Sequence, residues 1–482
     1  MSALVIALPV ACAADLPGSP QPSRGAPGTT AGSTGPFGTE GDEALRSSSP
    51  AEKEASLQRE VLEKVEIEGN RYTPRDVIVG QLALRQGAII TPQALHISRV
   101  QLLQLGTFSH VEVTTAPGSQ PHSVVLRIWV DERSPVQVTD LSLGHTAVSP
   151  LYGSVGLADP ILFGRVGLSL ATALDNQGRQ AYQLSLYDPD LRFTGRSFLA
   201  GLQALYLQGL ESGCISPSCN GNYSAVPWLR YRRIGLEFEG GFRPGLFTRF
   251  IAGYRFEKVH GRSDAGVVPA ARPVLLEGSS TVSALVFGFD LDTRNDPLLP
   301  TGGTRLEARL TLASQAILSD YEFSRYLLQV ERWFGLGETR ALRIDLALGL
   351  IQGNAPFYER FYAADWSYFS VGVAAPRALD LNFSPDSRYD LLLYVVGLEY
   401  DFTLWTARSP VLRRGLFALG ARFVYSAATA GAGRSALSAT PVSLDAALRV
   451  DTRLGVITIG LGYIVDEVLK FVPLSVPGVE HR

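Results

Sequence analysis

The chain has 482 residues, of which 46% are hydrophobic, and a formal net charge of −3. Its 43 Lys and Arg are balanced by 46 Asp and Glu, so it carries no basic footprint for nucleic acid. No apolar run reaches the roughly 18 residues a spanning helix needs, which excludes that architecture and leaves the apolar content to be explained by strands.

Residues 1–14, ending in ALVIALPVACAA, read as a signal segment, a short apolar run followed by small residues; a lipoprotein reading of Cys12 is weakened by Pro9. Residues 15–60 are rich in Gly, Pro, Ser and Thr with few aliphatic side chains, and are expected to be a disordered linker because they cannot bury enough surface to fold. From 61 the composition changes. VLEKVEIEGN predicts a strand ended by a turn, and Thr73-Pro74 and Thr91-Pro92 each place an N-cap before a proline at the first helical position. The second helix carries Leu95, Val100, Leu103 and Leu105 and stops at Gly106. FSHVEVTT and SVVLRIWVDE then predict two strands, giving β-α-α-β-β over residues 61–133.

Residues 134–482 read as a succession of hairpins. In the clearest one, Leu285, Phe287, Phe289 and Leu291 alternate with small or acidic residues before a turn, and Leu306, Ala308, Leu310 and Leu312 alternate with Arg305, Glu307, Arg309 and Thr311 after it. Further on, Leu342, Ile344, Leu346, Leu348 and Leu350 oppose Arg343, Asp345, Ala347 and Gly349. Sixteen such strands are expected, ending with one near 468–479. The expected fold is a transmembrane β-barrel of 16 antiparallel strands, with apolar groups outward and polar groups lining the lumen, preceded by one small α+β domain. Cys214 and Cys219 share a Gly/Ser/Pro/Asn loop at a spacing that lets them meet. A disulfide is expected there, which would imply an oxidising compartment; the alternative is two reduced thiols.

Two phrases, VEIEGNRYTPRDVI and LLQLGTFSHVEV, together resemble a POTRA domain, the periplasmic module of the BamA/TamA outer-membrane assembly superfamily. DTRNDPLLPTGG resembles the turn of the same superfamily most closely, which singles out Asp292, Thr293, Arg294, Asp296, Pro300 and Gly303, and Ile161–Arg165 is similar to its NLFG-type turn. ERFYAAD resembles the lead into the lumen-inserted loop, singling out Glu359, Arg360, Phe361, Tyr362 and Gly372. There the chain departs from the family: Val371 stands where the resemblance implies Arg, and Gly420 where it implies that Arg's acidic partner. Arg377 is the candidate substitute, reaching Glu399 or Asp401. The C-terminal KFVPLSVPGVEHR lacks the terminal aromatic residue and holds Pro473 and Pro477, whose missing N–H donors are expected to weaken one side of the last strand as a seam.

No catalytic constellation is present: the six His residues are scattered, without metal-ligand spacing, and no nucleophile elbow stands out. No metal and no cofactor are expected, and the chain is expected not to be an enzyme. The resemblance implies a bacterial outer-membrane protein, its POTRA domain in the periplasm, that inserts or translocates unfolded outer-membrane or secreted proteins, with the lipid bilayer and periplasmic assembly components as partners. The alternatives are a non-insertase barrel acting as passive pore or surface receptor, favoured by the departures, and a two-partner secretion transporter, disfavoured by the single POTRA domain.

Overall fold

The computed structural model describes residues 60–144, 152–162, 164, 166–176, 178–193, 196–213, 226–263, 278–337, 339–361, 390–407, 412–427, 442–464 and 470–475. The first of these stretches opens with β1 (Val61–Glu68), α1 (Arg75–Gly80), α2 (Pro92–Gln104), β2 (Phe108–Pro117) and β3 (Ser123–Glu132). The strands form a three-stranded sheet in the order β1-β3-β2, β1 parallel and β2 antiparallel to β3. Leu62, Ile78, Ile90, Leu102, Val111, Leu126 and Ile128 fill the core between sheet and helices. The second capping expectation holds, since Thr91 Oγ1 accepts from the Ala94 N–H at 3.1 Å. The first does not: α1 begins after Pro74 with no side-chain cap. The residue expected as cap, Thr73, is buried instead, and its N–H, with those of Arg71 and Tyr72, donates to Glu132 at the end of β3, at 2.8, 2.7 and 2.9 Å. A carboxylate that gathers three successive N–H groups satisfies the turn better than one hydroxyl can.

The rest is one antiparallel meander: β4 (Gln137–Gly144), β5 (Tyr152–Leu162), β6 (Val166–Asp175), β7 (Gln180–Phe193), β8 (Arg196–Gly213), β9 (Val226–Gly245), β10 (Thr248–Ser263), β11 (Gly278–Asp292), β12 (Gly303–Ala313), β13 (Phe323–Gly335), β14 (Arg340–Gly353), β15 (Leu392–Thr406), β16 (Leu412–Ala427), β17 (Val442–Thr452), β18 (Gly455–Ile464) and β19 (Lys470–Ser475). Each strand pairs with its sequence neighbours from β4 to β19. The sheet curls into a large, nearly closed β-barrel: β19 lies beside β4, but no backbone ladder joins them among the described residues. Several strands are longer than the roughly 9–11 residues that suffice to cross a bilayer when tilted, β9 reaching 20 and β8 18.

The two faces of this wall are inside out by the standard of a water-soluble protein. Phe287 and Leu346 are 42% and 38% exposed, whereas Asp290 and Glu399, on the opposite parity of neighbouring ladders, are 6% and 1% exposed. The same holds around the wall, with Ile234, Phe238, Tyr394, Val396 and Leu398 outward and Arg233, Glu257, Asp345 and Asp401 buried inside. Phe250 packs between Phe242 and Phe289, at ring separations of 5.5 and 4.9 Å, in a row near the end of the wall that bears the α+β domain.

Candidate functional site

The inner wall is held by ion pairs between strands. Because inward side chains occur at every second residue, register decides which charges meet. Glu257 on β10 lies opposite β9 and takes two hydrogen bonds from Arg233, one of them Nη2 to Oε2 at 3.1 Å. Further round, Arg343 lies 2.8 Å from Asp345 and 3.5 Å from Glu399, Arg422 reaches Asp345 at 2.9 Å, and Arg449 reaches Glu399 at 3.0 Å and Asp401 at 3.4 Å. The acidic residues Glu399 and Asp401, which the sequence offered to Arg377, are thus met by Arg449 from β17, two strands away, and by Arg343 from β14. Gly420 stands opposite both Glu399 and Asp445 in the ladders, so a carboxylate is next to its position although none is at it.

After β14 the chain turns inward. Ala355–Phe361 lies against the interior, with Phe357 and Phe361 no more than 2% exposed and Glu359 7%. Glu359 Oε1 accepts from Arg255 Nη2 on β10 at 2.6 Å. Tyr358 stacks over Tyr231 at 6.5 Å, and the Arg233 guanidinium sits 4.0 Å from its ring centre. Phe361 faces Arg325 at 4.9 Å and rests on Gly349, where a Cβ would run into the ring. The Phe361 backbone exchanges two 2.9 Å hydrogen bonds with Asp390, while Arg360 folds back onto the Ala355 carbonyl at 3.2 Å. The sequence resemblance singled out Glu359, Arg360 and Phe361, and the structure places all three here. Tyr362, Gly372 and Arg377 lie outside the described residues, as do Cys214, Cys219 and Pro477. Tyr358, Arg233 and Arg255 were not singled out beforehand: Arg255 was visible as an inward charge on its strand, but its partner is 104 residues away.

At the end of the wall facing the α+β domain, the 292–303 turn is tied to itself. Arg294 is bidentate to Asp292 and donates to the Pro297 carbonyl at 2.9 Å, and Asp296 accepts from the Leu298 and Leu299 N–H groups. Thr293 Oγ1 takes the Thr304 N–H at 2.9 Å. Pro300 is buried, and Gly303 closes the turn at φ +108°, where a side chain would strike the Thr293 carbonyl. The turn is also a dock: Gln104 at the end of α2 donates to the Asp292 carbonyl at 2.9 Å. Beside it, Arg133 Nη1 pairs with Asp451 at 2.7 Å and donates to the Thr452 carbonyl at 2.8 Å, Arg413 pairs with Asp131, and the Ser134 and Val138 N–H groups each bond the β17–β18 turn at 3.0 Å.

Two strand edges stand out. In the small sheet the outer edge of β1 is covered by residues 87–90, through the Leu62 N–H to Ala88 carbonyl bond at 2.9 Å and the Gly87 N–H to Leu62 carbonyl bond at 2.8 Å, while β2 ends the sheet with no strand beyond it among the described residues. In the large sheet, the β18–β19 register steps from Gly460 opposite Val472 to Thr458 opposite Ser475. Pro473 therefore falls in the bulge, where a missing N–H breaks no ladder bond.

In the small domain Glu132 loses some solvation by burial, but the bonds from Thr73, Tyr72 and Arg71 outweigh this and hold its carboxyl below the usual value of 4.5. Burial, together with Arg99, holds the His110 imidazole below 6.5.

Comparisons with known proteins agree with this layout. The family described as Omp85 superfamily domain matches residues 162–364, and the POTRA family, described as surface antigen variable number repeat, matches residues 61–133. The outer membrane protein assembly factor BamA of Nitratidesulfovibrio vulgaris is 22% identical over 323 residues, covering 63% of this chain and 37% of that protein, so the chain spans little more than a third of its relative's length. Among solved structures, CdiB from Escherichia coli superposes with a TM-score of 0.56 at 10% identity, covering 87% of this chain and 76% of that one. CdiB from Acinetobacter baumannii gives 0.50 at 12%, covering 87% and 74%.

Proposed function

The chain belongs to the Omp85 superfamily, and from that membership we propose that it is a bacterial outer-membrane protein that inserts or translocates other polypeptides. In this reading the wall from β4 to β19 is a sixteen-stranded transmembrane barrel, and the POTRA domain lies in the periplasm. The observation that carries the reading is the inverted wall. Paired charges inside and, among the described residues, exposed Phe, Leu, Ile, Val and Tyr outside would be an aggregation hazard in water but match a hydrocarbon solvent.

The POTRA domain supplies the receiving surface. With one sheet edge covered and β2 open, an unfolded substrate strand can add to β2 through main-chain hydrogen bonds, which accept any sequence. Docking through Gln104 and Arg133 holds that edge at the base of the barrel. The junction between β4 and β19 is then where a substrate strand would be templated into the bilayer, because among the described residues no backbone ladder joins the first strand to the last, which leaves their facing edges able to accept one. The substrates are unfolded outer-membrane or secreted proteins, with periplasmic assembly components as further partners. A passive pore fits less well, since Ala355–Phe361 occupies the interior. Depletion of the protein in its host, with outer-membrane barrel proteins quantified, tests the proposal. Their levels should fall, and the purified chain in vesicles should accelerate folding of a urea-unfolded barrel protein. Unchanged levels together with no acceleration would overturn it.

A further inference from the structure

We propose that the cavity between the POTRA domain and the β5–β6 turn binds a phosphoethanolamine-type zwitterion, a phosphate joined through two carbons to an ammonium, and that a bilayer lipid headgroup supplies it. The inference goes beyond the proposed function and draws on its membrane reading only for the source of the ligand. The cavity holds about 360 Å³, well above what one bridging water needs. Arg71, Thr107, Glu132 and Arg133 line it from the domain, and Asp159 and Gly164 from the barrel. The two walls touch, since a Cβ at Gly164 would come within 2.9 Å of Pro74 Cγ.

The polar groups of this cavity ask for both charges. Thr107 and Arg133 are 8% and 5% exposed, yet Thr107 Oγ1 and Arg133 Nε have no hydrogen-bond partner among the described residues. Burying such groups is costly unless something in the space they line bonds to them. The exposed Arg71 guanidinium also lacks a partner among the described residues. Donors on three side chains of one cavity suit a phosphate, which offers several acceptor oxygens. Glu132 adds no free acceptor of comparable strength, because its carboxylate already takes the Arg71, Tyr72 and Thr73 N–H groups. Asp159 does: Oδ1 accepts the Ile161 N–H at 3.0 Å, and Oδ2 has no partner among the described residues. An anion alone would meet this carboxylate at a loss, whereas a zwitterion answers it with its ammonium. The source follows from β5. Val155 and Leu157 are 40% and 37% exposed while Ser154 and Ala158 are buried, and the ladder to β6 stays regular as far as Asp159 opposite Leu168. Asp159 therefore falls on the outer face, one step beyond the apolar residues, where headgroups stand against a membrane-spanning wall.

The test is native mass spectrometry of the full-length protein in detergent, titrated with phosphatidylethanolamine, phosphatidylglycerol, phosphatidylcholine or free phosphoethanolamine. Folding of each variant is checked by heat-modifiable gel mobility. Wild type should retain one phosphatidylethanolamine in preference to the other two lipids, since phosphatidylglycerol lacks the ammonium and the quaternary nitrogen of phosphatidylcholine cannot donate to Asp159. Thr107→Val, which removes the hydroxyl and keeps the shape, and Arg71→Gln should each weaken retention about tenfold, the effect of one hydrogen bond to a charged group. Asp159→Asn should erase the preference over phosphatidylglycerol. Free phosphoethanolamine should compete with the lipid; if it binds while no lipid is retained, the site stands and its lipid source is overturned. Folded Thr107→Val and Arg71→Gln proteins that retain phosphatidylethanolamine like wild type would overturn the site and leave the membrane reading standing. A wild-type chain that never enters vesicles would overturn the membrane reading, while phosphoethanolamine binding in detergent would still decide the cavity.

Discussion

Asp451→Ala should undock the POTRA domain from the barrel. The Arg133 and Asp451 side chains are 3% and 10% exposed, their ion pair is 2.7 Å long, and Arg133 has one further bond, to the Thr452 carbonyl. Removing the carboxylate strands a buried guanidinium, a change that costs about 3 kcal/mol when the remaining charge cannot reach water. The neighbouring Arg413–Asp131 pair provides the contrast, because Asp131 is 30% exposed and screened, so Asp131→Asn should cost at most about 1 kcal/mol. Between the two domains, the backbone at 134–138 is held to the β17–β18 turn by two hydrogen bonds and becomes accessible when docking fails. Limited proteolysis of the detergent-solubilised protein, followed by release of the intact barrel fragment, reads this opening. A 3 kcal/mol loss predicts cleavage roughly 100-fold faster for Asp451→Ala, while Asp131→Asn should stay within about fivefold of wild type. Joint replacement by Arg133→Met and Asp451→Leu should recover most of the loss, since no charge is then buried alone. If Asp451→Ala is cleaved at the wild-type rate, or the double variant as fast as the single, the pair does not hold the domain.

Glu132 supplies a pH signature. Its folded-state pKa is depressed below 4.5, so its contribution is fully present above that value and is lost as pH falls through the lower folded value. Hydrogen exchange on the full chain should show Arg71, Tyr72 and Thr73 amides losing protection below about pH 4.5, with Glu132→Gln showing the low-pH behaviour already at neutral pH; identical protection at pH 7 in both proteins would refute the cradle. Leu346→Arg tests the solvent on the far side of the wall. At the middle of a bilayer it should cost about 2–4 kcal/mol in folding into vesicles, whereas at a water-exposed site it would cost almost nothing.

Much of this was legible in the residues. Period-two alternation in β11, β12 and β14 determined which side chains share a face, because successive residues of a strand must point opposite ways whatever the strand pairs with. Thr91 and Pro92 fixed the start of α2 for a similarly local reason, and DTRNDPLLPTGG carries its own hydrogen-bonding partners within 12 residues. What the sequence could not decide is which distant groups meet. Thr73 lost its capping role to Glu132, 59 residues away. Glu399 found Arg449 on β17, and Glu359 found Arg255, through register and closure of the wall. An inward charge is announced by its parity along one strand, but its partner is set by how many residues every intervening strand contributes before the sheet curls round, and that is a property of the assembled barrel alone.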